Sequence, residues 1–117
     1  MATRFTVKKL GYKRSEWPAY LARSLVRNER ERDHGKFNLP VVSEADLQTA
    51  AENGLLYQVS FPTNHGATRY WHLEVLFASG SPVDDAMQIL RGALGEELEP
   101  LLARRRKDFF IQQLVLI

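Results

Sequence analysis

Three polar side chains on one predicted strand are the residues of this chain best placed to do chemistry. In RYWHLEVLF, Tyr70, His72 and Glu74 alternate with apolar residues, so all three project from one face of the strand. A histidine beside a carboxylate can share a proton or bind a metal ion. A metal site needs further ligands, and the remaining histidines, His34 and His65, fall in predicted loops that nothing in their spacing brings together. We therefore predict no metal and no cofactor, and we interpret the three residues as a binding surface.

The rest of the sequence offers no catalytic motif. The chain has no cysteine, which excludes thiolate nucleophiles, disulfides and zinc-thiolate sites. It contains no G-x-S-x-G nucleophile motif, P-loop or dinucleotide fingerprint. The acidic pairs Asp84-Asp85 and Glu96-Glu97 lie on a predicted helix, where the helix dipole and solubility account for them. We predict a protein that is not an enzyme and has no catalytic residues.

Charge is distributed unevenly along the chain. Residues 1–36 carry ten Lys or Arg against four Asp or Glu, residues 37–103 carry two against nine, and residues 104–117 carry four against one. The two basic segments could form one patch in space and attract a polyanion. The start MATRFTVKKLG lacks the apolar core of a signal peptide, and no segment is long and apolar enough to span a bilayer. We expect a cytoplasmic protein without a membrane partner.

Hydrophobic periodicity predicts an α+β fold in a single domain over residues 1–117. The loop PTNHGAT has the Pro, Asn and Gly of a hairpin turn between two strands. Ser43 with Asp46 indicates the start of a short helix, and Gly54 its end. The predicted elements are a strand over TRFTVKKLG, a helix over SEWPAYLARSLVRNERER, the short helix over SEADLQTAAENG, strands over LLYQVSF and RYWHLEVLF, a long helix over SGSPVDDAMQILRGALGEELEPLLARRRK, and a strand over DFFIQQLVLI.

This order matches the split βαβ, or ferredoxin-like, pattern with the short helix as an insertion. It predicts a four-stranded antiparallel sheet with the two long helices on one face. Residues 37–42 could add a further extended piece. The face under the helices would carry Phe5, Val7, Tyr57, Val59, Phe61, Trp71, Leu73, Val75 and Phe77. The opposite face would stay open and carry Arg4, Thr6, Lys8, Gln58, Ser60, Tyr70, His72 and Glu74.

The last strand suggests a partner surface. Phe110, Leu114 and Leu116 line one side of it, and its other side is also apolar. In a ferredoxin-like order this strand lies at an edge, where exposed apolar residues require a cover. We therefore expect a small intracellular subunit, adaptor or inhibitor of bacterial or phage type. It would bind another protein chain, a second copy or a different subunit, through these residues and through Tyr70, His72 and Glu74.

Two alternatives remain open. One is binding of RNA or single-stranded DNA, with stacking on the open face and phosphate contacts from basic residues. The strand RYWHLEVLF lacks the signature of RNA-recognition domains, and Glu74 would repel phosphate. The other is a dimeric α+β barrel that encloses a small molecule. The nucleic-acid candidates are Arg4, Lys8, Arg23, Arg27, Arg30, Arg104, Arg105, Arg106 and Lys107.

Overall fold

The computed structural model describes residues 5–35, 37–63 and 71–117, and only the backbone of Trp71. Arg4, Tyr70 and residues 64–68 of the predicted hairpin loop therefore lie outside the described residues, whereas Pro62 and Thr63, the first two residues of that loop, end a strand. Short 3-10 turns precede α1, separate α3 from α4 and precede β4. The elements are β1 (Val7–Tyr12), α1 (Trp17–Asp33), α2 (Glu44–Glu52), β2 (Leu56–Thr63), β3 (Trp71–Ala78), α3 (Pro82–Leu94), α4 (Leu98–Arg105) and β4 (Phe110–Leu116). The predicted mixture of helices and strands is confirmed.

Local signals explain where two of the helices begin. The Ser43 hydroxyl accepts a hydrogen bond from the Asp46 N–H at 3.1 Å, as the capping pattern predicts. Before α3, the Ser79 hydroxyl accepts from the Ser81 N–H at 2.9 Å and donates to the Asp85 carboxylate at 2.6 Å. The N-cap residue Ser81 makes no capping hydrogen bond with its own side chain, and Ser79, two residues before it, therefore organises the first turn of α3.

The predicted long helix is two helices, because Gly95 interrupts it. Gly95 adopts φ 53° and ψ −126°, a conformation that L side chains rarely reach. The chain turns there and continues through a 3-10 turn into α4. Apolar residues of both helices still face the sheet, among them Leu90, Leu94, Leu98 and Leu101.

The sheet has the strand order β1-β4-β2-β3. β4 pairs in parallel with β1 and antiparallel with β2, while β2 pairs antiparallel with β3. The predicted ferredoxin-like, all-antiparallel order is therefore not confirmed, and β4 is an interior strand. Its apolar character on both sides is typical of a strand buried on both faces, and Ile111 and Leu114 are both fully buried.

Helices cover both faces of the sheet, which corrects the prediction that the two long helices share one face. α3 and α4 pack on the face of Val59, Phe61 and Ile111. α1 and α2 pack on the opposite face, against Leu76 and Leu114. The predicted core face is confirmed for its residues with described side chains, although α1 does not lie on it. The predicted open face is partly closed, because Gln58 and Ser60 are buried there.

Residues 37–42 form no strand. Phe37 and Leu39 pack in the layer of α3 and α4, whereas Val42 packs in the layer of α1 and α2. The segment packs closely against α3 at Gly92. A Cβ atom added to this glycine would lie only 3.3 Å from the Asn38 carbonyl oxygen. Because α1 and α2 lie in the same layer, the segment crosses past the β3 side of the sheet to the layer of α3 and α4 and then returns.

Side chains of α1 bind the backbone of the edge strand β3. The Arg27 guanidinium donates to the His72 carbonyl at 3.5 Å, and the buried Asn28 amide donates to the Leu76 carbonyl at 3.3 Å. In the opposite orientation of its amide, the Asn28 nitrogen lies 3.2 Å from the carbonyls of Ser24 and Glu74. Either way, Asn28 satisfies a carbonyl of β3 that a neighbouring strand would otherwise bind.

Replacing Asn28 by alanine is expected to destabilise the fold by about 1–3 kcal/mol, because a buried β3 carbonyl would lose its donor. Urea denaturation followed by circular dichroism measures this change. The matched control is Glu29→Ala, at an exposed position of the same helix, which should change stability by less than about 0.5 kcal/mol. Equal effects of the two substitutions would show that α1 does not depend on this contact.

Within the described ranges, no helix combines the length and the apolar character needed to cross a membrane.

Candidate functional site

A cleft of about 310 Å³ lies between α1 and the start of β3. We call it the basic cleft, because Arg23, Arg27 and Arg30 line it from α1. His72 lines it from β3 and Thr63 from the end of β2. Its apolar wall is made of Val26, Phe37 and Leu73, and the Val26 side chain is 58% exposed.

The helical repeat of α1 creates the basic wall of this cleft. Trp17, Leu21, Ser24 and Asn28 face the sheet and are buried. Residues spaced by three or four share a helix flank, so the three arginines line one side of α1. All three are among the nucleic-acid candidates predicted from sequence, and the structure places them beside β3.

The cleft carries excess positive charge. Arg23, Arg27 and Arg30 are exposed, and in the described part of the chain no carboxylate oxygen lies within 4.0 Å of their guanidinium groups. Arg23 lies over the Tyr20 ring at 5.3 Å. Glu31 is the acid in the lining, so three positive charges face one negative charge. Such an arrangement attracts anions.

Glu74 belongs to a partly buried chain of polar side chains beneath α1. The Tyr20 hydroxyl donates to the Gln58 side-chain carbonyl at 2.7 Å, and the Gln58 amide nitrogen donates to Glu74 at 3.3 Å. Burial, and secondarily the Glu74 carboxylate, raise the pKa of Tyr20, so its hydroxyl stays neutral. Because Gln58 binds Glu74 at the sheet surface, this carboxylate is not part of the cleft lining.

The predicted trio on β3 is thus divided. His72 is exposed and lines the basic cleft, whereas Glu74 is half-buried and bound by Gln58. Tyr70 lies outside the described residues. His72 and Glu74 share a face of β3, as predicted, but they do not line the same site.

The predicted partner residues on β4 differ in how they are packed. Leu114 is fully buried and Leu116 half-buried in the layer of α1 and α2. Phe110 faces the same side of the sheet but belongs to neither hydrophobic cluster. Leu114 and Leu116 therefore belong to the core, whereas Phe110 is half-buried and lies outside both clusters.

The basic residues 104–107, at the end of α4 and in the 3-10 turn that follows it, lie at the same end of the sheet as the basic cleft. Arg104, Arg106 and Lys107 are exposed, and Arg105 binds Asp108 at 2.8 Å. Arg106 lies over the ring of Phe5, just before β1, at 5.5 Å.

Strand register shows how far apart the two basic groups are. Ser60 of β2 pairs with Phe110 at the start of β4, and Pro62 of β2 pairs with His72 at the start of β3. β1 and β3 are the two outermost strands, so about three strand spacings, or 14 Å, separate them across the sheet. A ligand that contacts both basic groups must therefore be extended.

Sequence reasoning missed part of the cleft. Glu31 could have been found, because it follows Arg27 by four residues and shares its helix flank. Phe37 and Thr63 come from a loop and from the end of a strand. No local pattern places these two residues beside α1.

Neither a metal centre nor a relative identifies the site. Among the described residues, no group of three His, Asp or Glu side chains is arranged to hold a metal ion. No protein-family model, curated protein or solved structure matches the chain. The function is therefore inferred from the chain's own residues.

Proposed function

We propose that this chain is a non-enzymatic protein that binds single-stranded nucleic acid, and that the basic cleft holds its phosphates. The observation that carries the proposal is the set of three exposed arginines, Arg23, Arg27 and Arg30, in one cleft without a carboxylate partner in the described part of the chain. Guanidinium groups bind phosphate through paired, planar hydrogen-bond donors.

The distribution of charge favours a long anion over a small one. The exposed basic residues Arg104, Arg106 and Lys107 lie at the same end of the sheet as the cleft, near β1. A small anion would contact one of the two basic groups, whereas a polynucleotide extends across both. Clustered Lys and Arg at one end of a domain are the electrostatic pattern of nucleic-acid binding.

A protein partner, the leading expectation from sequence, has less support in the geometry. Its two proposed surfaces were an edge strand and an open sheet face. β4 is interior, and α1 and α2 cover much of the face that carries Gln58 and Ser60. The dimeric barrel needs the same open face. An acidic protein segment remains the alternative occupant of the basic cleft, and the experiment below includes it.

The experiment is a fluorescence anisotropy titration of a labelled single strand at several salt concentrations. We expect binding of an oligonucleotide of about 12 nucleotides, with a plot of log Kobs against log salt whose slope is about −2 or steeper. Each phosphate contact to a single strand contributes about −0.7 to this slope, and three arginines would make about three contacts.

Two results would contradict the proposal. One is the absence of binding at about 50 mM salt, where phosphate contacts are strong. The other is equal competition by polyglutamate at matched charge, since this would show that any acidic chain fills the cleft.

A further inference from the structure

One corner of the sheet is left uncovered beside α1. We call it the open corner and define it by Thr6, Lys8, Phe110 and Gln112. Lys8 pairs with Gln112 across β1 and β4. Because side chains alternate between the two faces of a sheet, all four side chains lie on the face that carries α1 and α2. Thr6 and Lys8 are exposed, while Phe110 and Gln112 are half-buried. Neither helix therefore closes this part of the face.

Phe110 is an aromatic side chain without an aromatic partner in the open corner. It packs in neither hydrophobic cluster, and within the described ranges it makes no ring contact. Its neighbour Phe109, on the opposite face, is buried and packs against Phe5 and Phe61. The structure thus packs one phenylalanine in the core and leaves the next one half-buried, outside both hydrophobic clusters.

The open corner lies next to the basic flank of α1. Gln112 pairs with Gln58 of β2, and Gln58 accepts the hydrogen bond from Tyr20 of α1. Arg23, over the Tyr20 ring, also lines the basic cleft. These contacts run from the cleft, along the flank of α1, to the strand that carries Phe110.

We propose that Phe110 is a stacking surface for a nucleobase, so that a single strand lies along α1 with phosphates on Arg23 and Arg27 and an unpaired base on Phe110. This inference rests on the proposed function and specifies its ligand, because only a single strand can turn a base onto the sheet. Lys8, exposed beside Phe110, supplies a charge for the next phosphate.

The acidic groups nearby do not block this path. Glu74 lies in the same row of the sheet as Phe110, two strands away, since both pair with Ser60 of β2. This separation is about 10 Å, and Gln58 binds the Glu74 carboxylate. Glu31 lines the cleft and reduces its charge by one, which leaves two positive charges from the arginines.

The test compares two ligands of equal charge, an oligothymidylate of about 12 nucleotides and an abasic strand with the same number of phosphates. Wild-type protein should bind the oligothymidylate at least about fivefold more tightly, which corresponds to one stacked base. Phe110→Leu should remove this difference by weakening the oligothymidylate complex and leaving the abasic complex unchanged. Phe110→Tyr, which keeps the ring, should retain the preference.

The outcomes separate this inference from the proposed function. If neither ligand binds, the proposed function fails. If both ligands bind equally well and Phe110→Leu affects neither, the basic cleft binds phosphate and the stacking inference is overturned. If Phe110→Leu weakens both ligands equally, its role is structural and the inference is also overturned. Thermal unfolding of each variant shows whether it is folded.

Discussion

Replacing Arg23, Arg27 and Arg30 together by glutamine is expected to weaken single-strand binding by about 100-fold at low salt. The three side chains line one cleft and have no carboxylate partner within 4.0 Å in the described part of the chain. Each lost phosphate contact removes about 0.7 from the slope of log Kobs against log salt, so the slope should fall by about 2 units. Anisotropy titrations over about 50–200 mM salt measure both quantities.

A variant with the same loss of charge provides the control. Lys13, Arg14 and Arg91 are exposed and do not line the cleft, and Lys13 and Arg14 follow the far end of β1. Their joint replacement by glutamine should reduce affinity by less than about threefold, through long-range attraction alone. If both triple variants weaken binding equally, net charge and not the basic cleft determines affinity, and the assignment of the site is wrong.

The largest expected effect on stability comes from Phe61→Ala. Phe61 is fully buried near the end of β2, stacks on Phe109 with 6.4 Å between ring centroids, and contacts the Phe37 ring edge-to-face at a centroid distance of 6.5 Å. Its removal would leave a cavity between the sheet and the layer of α3 and α4. We expect a loss of about 3–5 kcal/mol in the free energy of unfolding, measured by urea denaturation.

Leu55→Ala is the matched control, because Leu55 precedes the same strand and is 42% exposed. Its expected cost is below about 1 kcal/mol. A Phe61→Ala variant that loses less than about 1.5 kcal/mol would contradict the tight packing of this layer. Because Phe37 touches Phe61 and also lines the basic cleft, Phe61→Ala should additionally weaken binding of the single strand.

Much of the local structure could be predicted from sequence because its causes are local. The alternation of LLYQVSF and RYWHLEVLF specifies two strands, and Ser43 with Asp46 specifies the start of α2. The spacing of Arg23, Arg27 and Arg30 specifies a basic flank. These features depend on residues close together in the chain, and the structure contains all of them.

The order of the strands could not be predicted, because it depends on pairing between distant segments. β1 pairs with β4, which lies at the other end of the sequence. The apolar residues on both sides of β4 fit an unprotected edge strand as well as a strand buried on both faces, and the structure has the second arrangement.

Polar residues misled the choice of the covered face. Gln58 and Ser60 alternate with apolar residues and therefore predict an open surface. In the structure both are buried on the face that carries α1 and α2, and the Tyr20 hydroxyl of α1 donates a hydrogen bond to the Gln58 side chain. Ser24 and Asn28 are the corresponding buried polar residues of α1. A helix with polar residues on its inward side can cover a polar sheet face, but periodicity alone does not reveal that the two match.

The most direct test of the central claim is an NMR titration of isotope-labelled protein with a short oligothymidylate, which follows the Nε–Hε signals of arginine and the backbone amides. We predict that the signals of Arg23, Arg27 and Arg30 shift together with the amides of His72 and Phe110 and give one dissociation constant. The signal of Arg91, on α3, should stay in place. Shifts confined to α3 and residues 38–42, or the absence of shifts at concentrations where anisotropy reports binding, would contradict the assignment of the basic cleft.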